Sequence, residues 1–247
     1  MHQNQNSNPV SFSGFTLKYI ALLTMTIDHI AAVLLTRETV MYTLMRGIGR
    51  IAFPLYCFLL VEGYLHTSNR KSYFTRLMAF ALLSEIPLDM ALFHFPLVRT
   101  SSVLFGHQNV FFTLSLAFLA MYLMDYYWFR NQWMGFTGLI LLGLLADLLK
   151  FDYGLTGVLV AVIPFLCRKF RPELKPVFLA ILTVLPLFSP NSISGISVCL
   201  AIPCMVFYNG QKGSPLPKGR SFPGAKYLFY IYYPLHLLII SFIYFIV

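Results

Sequence analysis

The sequence predicts an all-α membrane protein, a polytopic bundle of about nine transmembrane helices (range 8–10). Three observations predict it. Apolar residues make up 58% of the chain and mean hydropathy is +0.71. Only 11% of residues are charged, where a soluble domain carries roughly a quarter. Finally, the basic residues partition between alternate loops in the manner of a multi-span protein. A soluble domain of 247 residues could not bury this much apolar surface, so lipid must be its solvent.

The apolar stretches fall at about 17–35, 47–66, 73–95, 109–129, 133–150, 153–169, 174–190, 192–208 and 227–247. Each approaches the length needed to cross a core about 30 Å thick. Pro186, Pro190 and Pro203 interrupt the seventh and eighth. Residues 1–16 are polar and rich in Asn, Gln and Ser, which predicts a disordered cytoplasmic tail ahead of one transmembrane domain over 17–247. The first stretch lacks a small-residue cleavage site and reads as a retained helix. With nine spans, thirteen of the 18 Lys and Arg residues fall on the side of the N-terminus. The positive-inside rule then places the N-terminus in the cytoplasm and the C-terminus outside.

The net charge of +9 needs no nucleic acid to explain it. Lys and Arg gather in cytoplasmic loops and meet anionic lipid heads, so the expected basic contact is the lipid bilayer. Cys57, Cys167, Cys199 and Cys204 show no C-x-x-C pair and no metal spacing, and read as packing residues. No Walker loop, G-x-G-x-x-G, G-x-S-x-G or H-E-x-x-H is present.

The informative residues are ionisable groups inside the apolar stretches, each costly in hydrocarbon. They are Asp28, His29, Glu62, Glu85, Asp89, Asp147 and His236, with Arg46, Arg50 and Lys150 near the outer edge. Helix-to-helix glue is the bland reading. However, at about 1.5 Å per residue these groups concentrate from mid-membrane outward, together with Gln108 and Asn109 at the mouth. That bias suits a cavity open to the outside. Arg46 and Arg50 share a helix face, as do Glu85 and Asp89 around Pro87, and ion pairing between these two sets is the first expectation. Glu62 and His66 form a separate pair near the inner end of the second span.

His29 is the sharpest candidate, because imidazole can take and return a proton near neutrality. Lys18 precedes it by eleven residues, three turns, so one face can hold an anion at its inner end and a base further in. Asp28 points about 100° away from His29 and is expected to pair with an arginine. The basic loops 168–175 and 210–226 fit either the inside-positive bias or a phosphate-binding surface, with Arg168, Lys169 and Arg171 as candidates.

Seven blocks then resemble one family in order along the chain. They are Ile27-Asp28-His29-Ile30, Gly49-Arg50-Ile51-Ala52-Phe53-Pro54, Glu62-Gly63-Tyr64, Ser84-Glu85-Ile86-Pro87-Leu88-Asp89, Gln108-Asn109-Val110-Phe111-Phe112, Ala146-Asp147-Leu148-Leu149-Lys150 with Asp152-Tyr153-Gly154, and Tyr233-Pro234-Leu235-His236. Together they resemble the TraX family of bacterial inner-membrane proteins linked to acetylation of pilin. That family is in turn distantly similar to membrane acyltransferases of cell-surface sugars. The broader group carries Arg or Lys, ten residues, then His on its first helix, which Lys18 and His29 match. Its paired arginines have two residues between them, whereas Arg46 and Arg50 have three.

The resemblance implies an acetyltransferase taking acetyl-CoA as cosubstrate and passing acetyl to an extracytoplasmic glycan or protein acceptor. It implies His29 as base or acyl relay, with Asp28, Glu85, Asp89 and His236 in the catalytic set. Arg46, Arg50, Gln108, Asn109, Asp147, Lys150 and Tyr153 would bind the acceptor or the oxyanion, and Lys18, Arg168, Lys169 and Arg171 the cofactor phosphates. Two other classes stay open. A proton-coupled transporter would also use midplane carboxylates and histidines, and CoA binding would exclude it. A non-catalytic assembly protein would show only folding defects when its polar centre is substituted.

Overall fold

The structure, a computed structural model, describes residues 11–93, 106–171, 198–213 and 225–246. Among them the chain is all-helical with no strands. The helices are α1 (Gly14–Leu34), α2 (Val40–Gly49), α3 (Ala52–His66), α4 (Arg70–Phe93), α5 (Val110–Tyr127), α6 (Gln132–Leu148), α7 (Gly154–Lys169), α8 (Ala201–Val206) and α9 (Ala225–Ile246). Among the described residues four segments are long and apolar enough to cross a membrane: Gly14–Leu34, Val40–His66, Val110–Tyr127 and Tyr227–Ile246. Gln132–Leu148 is a shorter apolar helix. The predicted span at 174–190 lies outside the described residues, and that at 192–208 is described only from 198.

Local chemistry sets the helix ends. Ser13 caps α1, accepting from the Thr16 amide at 3.2 Å, so the helix begins at Gly14, three residues before the predicted start. Thr39 caps α2 and Asn109 caps α5 in the same way. The predicted stretch 47–66 is two helices, because the chain turns at Arg50 and Ile51 between α2 and α3. α4 is continuous through Pro87. Gly154 begins α7 at φ +48°, a conformation that disfavours any side chain, with the Asp147 carboxylate packed where a Cβ would stand.

Packing places α1 among α2, α3 and α9, and α4 between α9 and α5. α5, α6 and α7 pack on one another, and α7 returns to α3. Leu17, Ala21, Leu55, Ala81, Met121, Val158 and Leu237 are fully buried along these contacts. Large apolar side chains on the outside, such as Leu82, Ile86, Leu141 and Phe242, lie exposed, as expected of a lipid-facing surface. Cys57 and Cys167 are buried thiols within the packing.

Before α1 the chain is stitched to the segment after α8. The Phe12 amide donates to the Phe207 carbonyl, the Asn209 amide donates to the Phe12 carbonyl, and the amides of Gly14 and Phe15 donate to the carbonyls of Gln211 and Lys212. This fastens the Lys18 end of α1 to the loop that carries Lys212.

Candidate functional site

Two cavities open within the bundle. The first, about 260 Å3, lies at the C-terminal end of α1. Asp28, His29, Arg46, Arg50, His107, Asn109, Asp152 and Tyr153 line it among apolar neighbours. The second, about 690 Å3, lies at the Lys18 end and is lined by Lys18, Glu62, His66, Arg76, Tyr208 and Lys212 among aromatic side chains. They stand back to back. Tyr56 lines both, while Val110 and Tyr233 face the first and Phe111 and Tyr230 the second.

In the first cavity α1 and α9 bring two histidines together. His29 Nδ1 lies 2.8 Å from His236 Nε2. His236 Nδ1 lies 2.9 Å from the Tyr232 carbonyl, which can only accept. The proton on His236 therefore sits on Nδ1, its Nε2 accepts, and the shared proton belongs to His29 Nδ1. His29 is left with a lone pair on Nε2, the atom a general base needs. Tyr232 stacks on the His236 ring and Tyr233 meets both rings edge-on, which fixes their orientation.

The charged groups pair locally. Arg46 Nη1 donates to Asp28 Oδ2 at 2.5 Å, so Asp28 pairs with an arginine as expected and does not touch His29. Gly49 makes the fit possible, because a Cβ there would collide with Asp28. Arg50 donates to the Tyr153 hydroxyl at 3.1 Å. Tyr153 stacks on Phe53 with centroids 3.8 Å apart, held at φ +64°. His107 lies 3.7 Å from the Asp152 carboxylate. Burial pushes the Asp152 carboxyl above its ordinary value, against the pull of His107, Arg50 and Arg46.

The expected pairing of Glu85 and Asp89 with Arg46 and Arg50 is corrected. α4 packs chiefly on α5 and α9, and among the described residues Arg46 is taken by Asp28 and Arg50 by the Tyr153 hydroxyl. Glu85 instead accepts from the Asn109 side chain at 2.5 Å and from its backbone amide at 3.3 Å. Asp89 is buried, and its Oδ1 has no hydrogen-bond partner among the described residues. Asn109 gives its other amide proton to the Ala81 carbonyl and takes the Phe111 amide on its oxygen. Its donors are consumed, which removes it as an oxyanion donor.

Other predicted residues serve the frame. Asp147 accepts from the Leu155 amide at 2.9 Å and joins α6 to α7. Lys150 is exposed at φ +56°, and its carbonyl takes the Gln108 amide in the bridge that seats residues 108 and 151 side by side. At the other end, Lys18 lines the second cavity 5.2 Å from the Phe229 ring. Arg168 pairs with Glu62 and Lys169 with Asp125, so these two are engaged within the bundle and do not line the cavity. Arg171 lies just past the end of α7. Sequence reasoning missed Tyr56, Arg76 and Lys212 as cavity residues, and Asp152 as a partner of His107.

The family model for TraX proteins matches residues 13–244 of the chain. The chain belongs to the TraX family. The TraX match takes in every helix from α1 to α9 save the last residues of α9. The chain is also 29% identical, over 94% of its own length and 95% of the relative's, to a probable fimbrial assembly protein FimC, serogroup H1, from Dichelobacter nodosus. No solved structure matches the chain significantly.

Proposed function

We propose that this TraX-family protein is an acetyltransferase that takes acetyl from acetyl-CoA and passes it to an acceptor on the other side of the membrane. The observation that carries the reading is the His29–His236–Tyr232 relay, which leaves an unprotonated imidazole nitrogen on a residue of the cavity wall. Lys18, Arg76 and Lys212 line the second cavity and suit the phosphates of CoA. The first cavity receives the acceptor beside His29, Arg46 and Arg50. His29 Nε2 removes the acceptor's proton as its hydroxyl or amine attacks the thioester. In this reading nine helices span a bacterial inner membrane. The N-terminus and the Lys18 cavity face the cytoplasm, and the Arg46 end faces out.

The name of the Dichelobacter nodosus relative favours a second reading, a pilus-assembly protein without chemistry. One experiment separates them. Purified protein in detergent is given acetyl-CoA with a free-amine peptide or a hexose as acceptor, and free thiol is measured. The acetyltransferase reading expects wild-type turnover, loss of about 10²-fold or more in His29→Ala, and CoA binding retained in both. Well-folded wild type that neither binds CoA nor releases thiol overturns it in favour of assembly.

A further inference from the structure

We infer that the Tyr56 hydroxyl is the hydrogen-bond donor for the oxyanion of the acyl transfer, which makes Tyr56 a catalytic residue; this rests on the acetyltransferase reading above. Three observations lead to it. Tyr56 lines both cavities, and so stands where a thioester brought from one would meet an acceptor held in the other. Helices on either side agree about the junction: Val110 faces one cavity and Phe111 the other, as do Tyr233 and Tyr230 on α9.

The second observation is the state of the hydroxyl itself. It donates to the Met25 thioether at 3.6 Å. A thioether is a weak acceptor, so a half-buried phenol in this position holds a donor that a stronger acceptor would capture. The third is Met25's place on α1, one turn before His29 and on the same face, with both residues lining the first cavity. The hydroxyl and the His29 base therefore address one space from two helices.

Among other donors on the first cavity's wall, Asn109 has spent both amide protons, while Arg46 is tied to Asp28 and Arg50 to the Tyr153 hydroxyl. In the transfer itself, the acceptor oxygen or nitrogen bonds to the thioester carbon while its proton passes to His29 Nε2. The carbonyl electron pair moves onto oxygen, which takes the Tyr56 hydrogen bond in place of Met25's sulfur. On collapse the C–S bond breaks, and the thiolate leaves with the proton that His29 returns. The products are acetylated acceptor and free CoA.

The test compares wild type, Tyr56→Phe, Tyr56→Ala and His29→Ala as full-length protein in detergent. Thiol release from acetyl-CoA is measured with the same two acceptors, per folded molecule as counted by thermal melting. Tyr56→Phe keeps the ring and removes one oxygen. The proposal expects its kcat to fall about 10²- to 10³-fold with KM for acetyl-CoA within about twofold of wild type. A wall or gate needs the ring and not the hydroxyl, so full turnover in Tyr56→Phe with loss only in Tyr56→Ala overturns the proposal while leaving the acetyltransferase reading intact. Absence of turnover in well-folded wild type overturns both. A raised KM with unchanged kcat in Tyr56→Phe places the hydroxyl in ground-state binding and also overturns it.

Discussion

The molecule holds two clusters of polar groups in an apolar bundle, and they are built on opposite plans. Around Asp125 every strong group is matched. Its carboxylate takes the Tyr64 hydroxyl at 3.0 Å, Arg70 at 2.9 Å and Lys169, while Arg70 also covers the Tyr64 ring. Around His29 and on the neighbouring α4 matching is incomplete. Asp28 Oδ1, Glu85 Oε1 and Asp89 Oδ1 have no hydrogen-bond partner among the described residues, and Tyr56 donates only to sulfur. Burying unmatched polar atoms costs stability, so a bundle that needed only cohesion would be built like the Asp125 cluster. The difference supports the proposed site at His29 in a way that residue type alone does not, since both clusters contain carboxylates and cations.

Substitutions at the two clusters should therefore separate activity from stability. Beyond His29 and Tyr56, the largest effect is expected at His236. Replacing it with Ala frees His29 to rotate and to choose its tautomer, and kcat should fall about 10²-fold, or about 2.7 kcal/mol in the barrier. Steady-state kinetics beside a melting curve checks this, and a fall in melting temperature that fully explains the lost rate would move His236 to the glue. Asp125→Ala should do the reverse. It strands two cations and a buried phenol and should cost about 1–2 kcal/mol of stability, seen by thermal unfolding in detergent, with kcat per folded molecule unchanged.

Asn109→Ala removes the cap of α5 and the partner of Glu85, and is expected to cost about 1 kcal/mol. A larger fall in kcat than in stability there would show Glu85 to be more than a fastening. The smallest effect belongs to Lys169→Ala. Arg70 remains on Asp125, so the melting midpoint should shift by no more than about 0.5 kcal/mol allows.

Sequence and structure agree best where one helix decides the matter. The ends of α4, α5, α6 and α7 fall within a few residues of the apolar stretches that predict them, because a continuous apolar run bounded by polar residues marks where each helix begins and ends. The break between α2 and α3 is not legible, since 47–66 reads as one apolar stretch beginning inside α2, and the glycines at 47 and 49 permit helix and turn alike. Within the site, the Asp28–arginine pair follows from helix geometry and a short connection. The pairing of Glu85 is beyond such reasoning. An i,i+4 motif names the face of a helix but not the neighbour it meets, and α4 turns out to face α5 and α9. Tyr56 escapes for another reason. One aromatic residue among 41 Phe, Tyr and Trp carries no mark until two cavities are seen to share it.

The contact between His29 and His236 joins residues 207 positions apart. At a synthesis rate of about 5–20 residues per second, the first histidine waits about 10–40 s for the second to be made. Until then its ring has no fixed tautomer and the cavity lacks the wall that Tyr233 supplies. On the proposed acetyltransferase reading the pairing works as a check on translation: a nascent chain, or one cut short before α9, holds a cavity whose base is not yet set.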